Sequence, residues 1–296
     1  MAGADPPAML PAMAEKPAVA IVGPGRLGTA LAVELTRAGY HVREIVSRTS
    51  GASQRKARNL ARVTRARAAT SEAARLDAGL IWFCVPDREI SSGARALARR
   101  TTWKGKLVFH SSGALASDEL DVLRRRGAAV AAVHPLMTFV RGAIPSLEGV
   151  PFGVEGDAAA VRMARAIVRR LGGQVFAVPK NRKVAYHAWG TFTSPLLVAM
   201  LVTMEQVARA AGLSKAAARQ YMLPIVHQTL ANYARLGPAE AFSGPIVRGD
   251  AAIVRKHLRV LRRVRGSRDV YVALARAALR LLPAQNRRQL EKALRP

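Results

Sequence analysis

Ala18-Val19-Ala20-Ile21-Val22-Gly23-Pro24-Gly25-Arg26-Leu27-Gly28 decides how the chain is read. A short apolar run ends in three glycines spaced G-x-G-x-x-G, and a helical pattern, Thr29 to Ala38, follows at once. Strand, tight turn and helix in that order place the glycines where a dinucleotide pyrophosphate is held. Gly23 serves the turn, Gly25 lets the backbone approach the phosphates, and Gly28 lets helix and strand pack closely. The helix N-terminus supplies free amides and positive dipole charge.

Working outward, strand-like and helix-like segments alternate. A second strand is expected at His41 to Val46 and a basic helix at Ser53 to Arg62. Leu80-Ile81-Trp82-Phe83-Cys84-Val85 is a buried strand stopped by Pro86, and Lys106 to His110 is another. A helix near Ser117 to Arg126 and strands at Ala129 to Val133, near Val150 to Val154 and at Gln174 to Val178 complete the alternation. After Asn181 long Ala/Leu/Arg/Met-rich stretches take over, with helices expected at Arg182 to Ala211, Ser214 to Leu236, Asp250 to Val264 and Asp269 to Leu282. The expected architecture is α/β: a lead-in over residues 1–17 without order, a doubly wound Rossmann domain over 18–180, and an all-helical domain over 181–296.

Composition fits a soluble globular protein, with 50% hydrophobic and 22% charged residues among 296. The single cysteine, Cys84, excludes a disulfide framework or a cysteine-rich metal site and fits a reducing, cytoplasmic setting. Residues 1–17 lack a basic start and are broken by prolines, unlike a secretion signal. The apolar stretch Trp189 to Met204 is shorter than a bilayer span and carries Thr191, Thr193, Ser194 and Pro195, so a buried helix is expected. The formal charge of +28 is spread over Arg-rich helix faces and accompanies no nucleic-acid-binding motif. Solvated faces are therefore expected rather than a nucleic-acid surface.

Cofactor choice is read about 20 residues past the last motif glycine, where an acidic residue would bind the ribose of NAD. Ser47-Arg48-Thr49 stands there. A guanidinium between two hydroxyls suits the 2′-phosphate of NADP, because Arg offers a planar, permanently charged fork. Glu44 is the competing acidic residue, inside the strand. Val85-Pro86-Asp87 would line the ribose and nicotinamide side, although Asp87 equally reads as a helix N-cap.

Four further motifs carry a resemblance: His110-Ser111-Ser112-Gly113, Val133-His134-Pro135-Leu136-Met137-Thr138-Phe139, Tyr186-His187-Ala188, and Ser243-Gly244-Pro245-Ile246-Val247-Arg248-Gly249-Asp250. In this order they resemble bacterial Rossmann-like proteins with a C-terminal domain of unknown function, grouped as NADP oxidoreductases. Those are similar in turn to pyrroline-5-carboxylate reductase, ketopantoate reductase, prephenate dehydrogenase and the hydroxyisobutyrate dehydrogenases. The resemblance implies a hydride transfer to or from a small keto, imino or hydroxy carboxylate, and a homodimer joined through the helical domain.

It also implies roles. Lys183 and His187, four apart on one helix face, resemble the Lys and Asn of the hydroxyacid dehydrogenases, and hydride chemistry needs such a proton donor. Thr191 and Ser194 would extend that stripe. A solvated lysine and a core histidine are the bland alternative. His134-Pro135-Leu136 is similar to the His-Pro-Met of prephenate dehydrogenases; otherwise His134 orders the turn. Ser111, Ser112 and Gly113 would meet substrate polar groups, and Arg248 a substrate carboxylate. His110 reads as a hydrogen-bonded structural histidine, and Asp250 as the cap of the helix from Ala251. Pro195, where the family pattern has Asn, is expected to kink its helix, and Trp189 stands where Ala is common. A non-catalytic NADP sensor and a nucleic-acid-binding protein are the alternative functions, and no metal is expected.

Overall fold

The computed structural model describes residues 16–295. The expected lead-in lies outside the described residues up to position 15. Lys16 is described, its Nζ donating to the Ala38 carbonyl at 2.8 Å.

The chain divides into two compact units, residues 1–190 and 191–296. In the first, β1 (Val19–Val22), α1 (Arg26–Arg37), β2 (Val42–Ser47), α2 (Gly51–Thr64) and β3 (Arg67–Thr70) form one half of a sheet. The other half is β4 (Leu80–Phe83), α3 (Asp87–Leu97), β5 (Leu107–His110), α4 (Asp121–Arg124), β6 (Ala129–Pro135), β7 (Pro151–Gly156), α5 (Ala158–Arg170) and β8 (Gln174–Ala177). α6 (Lys183–Thr193) begins in this unit.

The strand order is β3-β2-β1-β4-β5-β6-β7-β8, parallel except where β7 runs antiparallel to β6. This is a doubly wound Rossmann sheet with two added strands, and its order reverses between β1 and β4. The strands read as continuous apolar runs because both faces are covered. Val19, Ile21, Leu80 and Trp82 enter one core, while Ala20, Val22, Ile81 and Phe83 enter the other. β3, Arg67-Ala68-Ala69-Thr70, is a strand that sequence reading passed over: it has one β-branched residue and sits at the sheet edge.

The second unit is helical: α7 (Pro195–Ala210), α8 (Lys215–Leu236), α9 (Pro238–Ala241), α10 (Ala251–Leu261), α11 (Ser267–Leu281) and α12 (Arg287–Ala293). Val254 and Leu258 of α10, Val272, Ala275 and Leu279 of α11, and Leu290 of α12 form its core. Asp250 caps α10 as expected, accepting from the Ile253 amide at 3.1 Å. The single helix expected over residues 182–211 is instead two. Ser194, at φ −130° and ψ −80°, breaks the helical path, and Pro195 begins α7. Proline is favoured at a first helical position because its missing N–H has no partner there, so the residue starts a helix rather than kinking one.

By length and composition alone the run Lys180–Ala210, which holds an 18-residue stretch of mean hydropathy 1.3, would suffice to cross a membrane. The expectation that this region is too short to span is corrected on that point. Nor is the region the buried helix expected: Phe192 is 71% and Val198 57% exposed, and the described residues leave both uncovered.

Candidate functional site

The Gly23-Pro24-Gly25 turn lies at the switch point of the sheet, and its glycines differ in what they permit. Gly23 has φ +107°, and a Cβ there would stand 2.7 Å from the Cys84 carbonyl oxygen. A Cβ on Gly28 would meet the Gly23 carbonyl oxygen at 2.0 Å, so close packing of turn and helix demands its absence. A Cβ on Gly25 would approach only the Cys84 oxygen, at 3.8 Å, leaving its other surroundings open to a ligand. Gly25 also stands at the N-cap of α1, whose first turn holds no acidic residue. This cradle fits a pyrophosphate.

A cavity of about 590 Å³ opens from the turn. Val85 and Pro86 form one wall; Ser47, Arg48, Ser50, Ser53 and Lys56 belong to the other. Thr49 is not part of the wall; its carbonyl accepts from Gln54 Nε2 at 3.1 Å. Ser50, Ser53 and Lys56, at the start of α2, are residues that sequence reading missed, because polar residues at a helix start carry no motif that separates a ligand contact from a solvated turn. Arg26 faces an adjoining cavity and Leu27 packs on the core. Glu44 is no rival for a ribose. It is 3% exposed, pairs with Arg67 and accepts from the Leu76 amide at 2.9 Å and the Arg75 amide at 3.3 Å. Arg48 Nη1 instead meets Glu89 Oε1 of α3 at 3.2 Å, and Glu89 is in the cavity wall.

Asp87 does not cap α3; Pro86 holds that position. Its Oδ2 accepts from Ser112 Oγ at 2.8 Å, tying the end of the cavity to the loop after β5. Ser112 is 4% exposed, and its Oγ also accepts from the Ala114 and Leu115 amides at 3.2 and 2.9 Å. Its hydroxyl thus braces the loop. Ser111 Oγ accepts from Trp82 Nε1 at 2.8 Å. His110 is structural as read: Nδ1 accepts from the Ser112 amide at 3.1 Å and Nε2 donates to the Ala116 carbonyl at 2.9 Å. Burial lowers its pKa to about 4.

Three expected reacting groups gather on this loop. Lys183, 1% exposed, donates from Nζ to the Ser112 carbonyl at 3.1 Å. A Cβ built on Gly113 would lie 2.6 Å from His187 Cδ2 and 3.0 Å from His134 Nε2, so only glycine admits both imidazoles here. His134 follows β6 and meets Tyr186 Oη through Nδ1 at 2.7 Å. The His134 and His187 rings lie 6.2 Å apart, near perpendicular. Burial lowers the Lys183 pKa, while the Glu155 and Asp87 charges oppose that effect. Burial, then the charges of Lys183, His187 and His110, bring His134 down to about 4. Glu155 had no place in the sequence reading. It is buried in β7 and accepts from the Ser117 amide at 2.6 Å and Ser117 Oγ at 3.0 Å. Among the described residues no group of three or more His, Cys, Asp or Glu could hold a metal ion.

Ser194 and Arg248 belong to the helical unit. Ser194 is the N-cap of α7, without a side-chain capping bond. Arg248 is exposed in the turn that ends at Gly249, where φ is +73°.

Two family models divide the chain: a Rossmann-like domain matches residues 5–135, and the domain of unknown function DUF2520 matches residues 150–278. The chain is a Rossmann-like domain joined to a DUF2520 domain. A Bacteroides fragilis protein solved as a candidate NADP oxidoreductase is 22% identical, with TM-score 0.73 over 88% of this chain and 96% of that one. An imine reductase from Myxococcus stipitatus, in complex with NADP+, is 18% identical, with TM-score 0.66 over 89% and 94%. A pyrroline-5-carboxylate reductase from Coxiella burnetii is 14% identical, with TM-score 0.57 over 89% and 98%. At these identities the likeness is one of fold. No curated protein matches the sequence. The functional reading therefore comes from the site itself.

Proposed function

We propose that this protein is an NADP-dependent oxidoreductase acting on a small keto, imino or hydroxy carboxylate. One observation carries the reading: Lys183 bonds Ser112 while His134 and His187 close on the adjacent Gly113, on a loop that Ser112 ties to Asp87 beside the dinucleotide cradle. A sensor would need the cradle but not a buried lysine beside two imidazoles at its nicotinamide end.

Gly23, Pro24, Gly25 and the α1 N-terminus would hold the pyrophosphate, and Arg48, Ser50, Ser53 and Lys56 the 2′-phosphate. A nicotinamide cofactor bound there would donate the hydride to a keto or imino substrate, or accept it from a hydroxy one. The protein's own part is proton handling and orientation. Lys183 Nζ is fixed by the Ser112 carbonyl, and its lowered pKa brings it closer to the range useful for general acid chemistry. His134 is neutral at pH 7 and orients a polar group without adding charge. The charges of the buried Glu155 and the exposed Asp87 keep the pocket from rejecting the ammonium outright. The imine reductase of like fold that was solved with NADP+ supports the reading.

The helical unit leaves Val198 57%, Ile225 68%, Leu230 54% and Tyr233 59% exposed on α7 and α8. Such a surface needs cover, and a second copy of the chain supplies it in this reading as a homodimer. The test of function is a screen of 2-keto acids, cyclic imines and a deazaflavin, following NADPH absorbance. Turnover of a keto or imino carboxylate that is lost in Lys183→Met supports the proposal; NADPH binding without turnover across the screen points to a sensor.

A further inference from the structure

Tyr186 belongs to a motif that the function above leaves without a role. It is 8% exposed on α6, on the face that buries Lys183, and packs edge-on against His134 with ring centroids 5.4 Å apart. Its hydroxyl has one hydrogen-bond partner among the described residues, His134 Nδ1 at 2.7 Å. The other side of the hydroxyl is closed by the backbone: a Cβ on Gly153 would lie 2.9 Å from Tyr186 Oη.

We infer that Tyr186 is a positioning residue that locks His134 as the Nε2–H tautomer, so that the site presents a neutral hydrogen-bond donor above Gly113. A phenol has a single hydrogen, and an imidazole has one bare nitrogen able to accept it. If Nδ1 carried the proton and donated to Oη, the phenol hydrogen would be left without an acceptor among the described residues, in a buried position, which is unfavourable. With the phenol donating, both groups are satisfied and the imidazole proton stands on Nε2. Geometry places Nε2, not Nδ1, over Gly113. A histidine's second partner commonly sets which nitrogen is protonated, and here the partner is a phenol on the helix that also carries Lys183.

The tautomer bears on the substrate. A donor at Nε2 meets an atom with a lone pair, such as a carbonyl or carboxylate oxygen. An iminium N–H has no such lone pair and would need the opposite tautomer. This consequence for substrate class rests on the reductase reading; the tautomer itself does not.

Long-range proton–nitrogen correlation spectra of full-length protein labelled at histidine nitrogen test the inference without substrate or cofactor. His134 is assigned by its loss in His134→Gln, and His110, whose bonds fix the same tautomer, serves as an internal reference. The expected wild-type pattern is a bare Nδ1 and a protonated Nε2 for His134, constant from pH 6 to 8. Tyr186→Phe is expected to replace it with averaged shifts from both tautomers, while the His110 pattern stays. A protonated Nδ1 in the wild type overturns the proposal and reverses the expected substrate atom. An unchanged His134 pattern in Tyr186→Phe overturns the positioning role. Should that variant not fold, the wild-type spectrum still decides the tautomer.

Discussion

Lys183 Nζ donates to the carbonyl oxygen of Ser112 across 3.1 Å, with the lysine 1% exposed. A buried ammonium is costly unless it is bonded and its charge is answered. Here the carbonyl supplies the bond, and Glu155 and Asp87 the charge. Lys183→Met keeps the apolar stem and removes the donor. Turnover on the substrate found by screening is expected to fall by about 10²–10⁴-fold, with NADPH affinity held within a few-fold. Steady-state rates and fluorescence titration of the same preparation check the split.

The motif glycines separate folding from binding. Gly28→Ala places a Cβ 2.0 Å from the Gly23 carbonyl oxygen, so the turn must move and the domain is expected to lose stability, seen as a lower Tm. Gly25→Ala has no such clash, its nearest neighbour being the Cys84 oxygen at 3.8 Å. That variant is expected to keep its Tm and lose cofactor affinity, because the added methyl occupies the path of the phosphates. Equal effects of the two substitutions on Tm would count against this assignment of the turn.

Glu44 is expected to matter for stability alone. Glu44→Ala leaves the Leu76 and Arg75 amides without their acceptor and Arg67 without its carboxylate. A cost of about 2–4 kcal/mol in urea unfolding is expected from such buried losses, with no change in cofactor preference. A shift in preference toward NADPH would mean that Glu44 reaches the ribose after all.

His110 and His134 make stability depend on pH. Both have folded pKa values of about 4, below the unfolded value of 6.5. As pH falls below 6.5 the unfolded chain takes up protons that the folded chain refuses. The stability they confer is therefore complete above pH 6.5 and is lost progressively as pH falls toward 4, by up to a few kcal/mol, roughly, for the two together. Urea midpoints at pH 7.5, 6 and 5 are expected to decline, and His134→Gln to flatten the decline. A wild-type midpoint that is level down to pH 5 would contradict the burial of these rings.

The sheet was legible because its physics is local. Apolar runs such as Val19–Val22 and Leu80–Phe83 are what a strand covered on both faces requires, and the glycine spacing marks the switch point. β3 was not legible, since an edge strand of Arg, Ala and Thr carries almost no burial signal. The same limit applies at the site. Lys183, His187 and His134 could be picked out by residue type and helix spacing, and the fold brings the lysine to Ser112 and the two imidazoles to Gly113. Glu155 and the contact of Tyr186 with His134 depend on neighbours 38 and 52 positions away, which no local pattern records. Pro195 was misjudged because its effect turns on whether a helix continues through it or begins at it.

The central claim is that the cavity beside the glycine turn takes NADP through Arg48, which in the free protein is engaged by Glu89 at 3.2 Å. Fluorescence titration of NADPH and NADH into wild type, Arg48→Ala and Glu89→Gln tests it most directly. NADPH is expected to bind more tightly than NADH in the wild type, and Arg48→Ala to lose that preference, by about 10-fold or more for a charge-assisted pair. Glu89→Gln is expected to tighten NADPH by freeing the guanidinium. Equal affinity for the two cofactors in the wild type, or a preference for NADPH that survives Arg48→Ala, would contradict it.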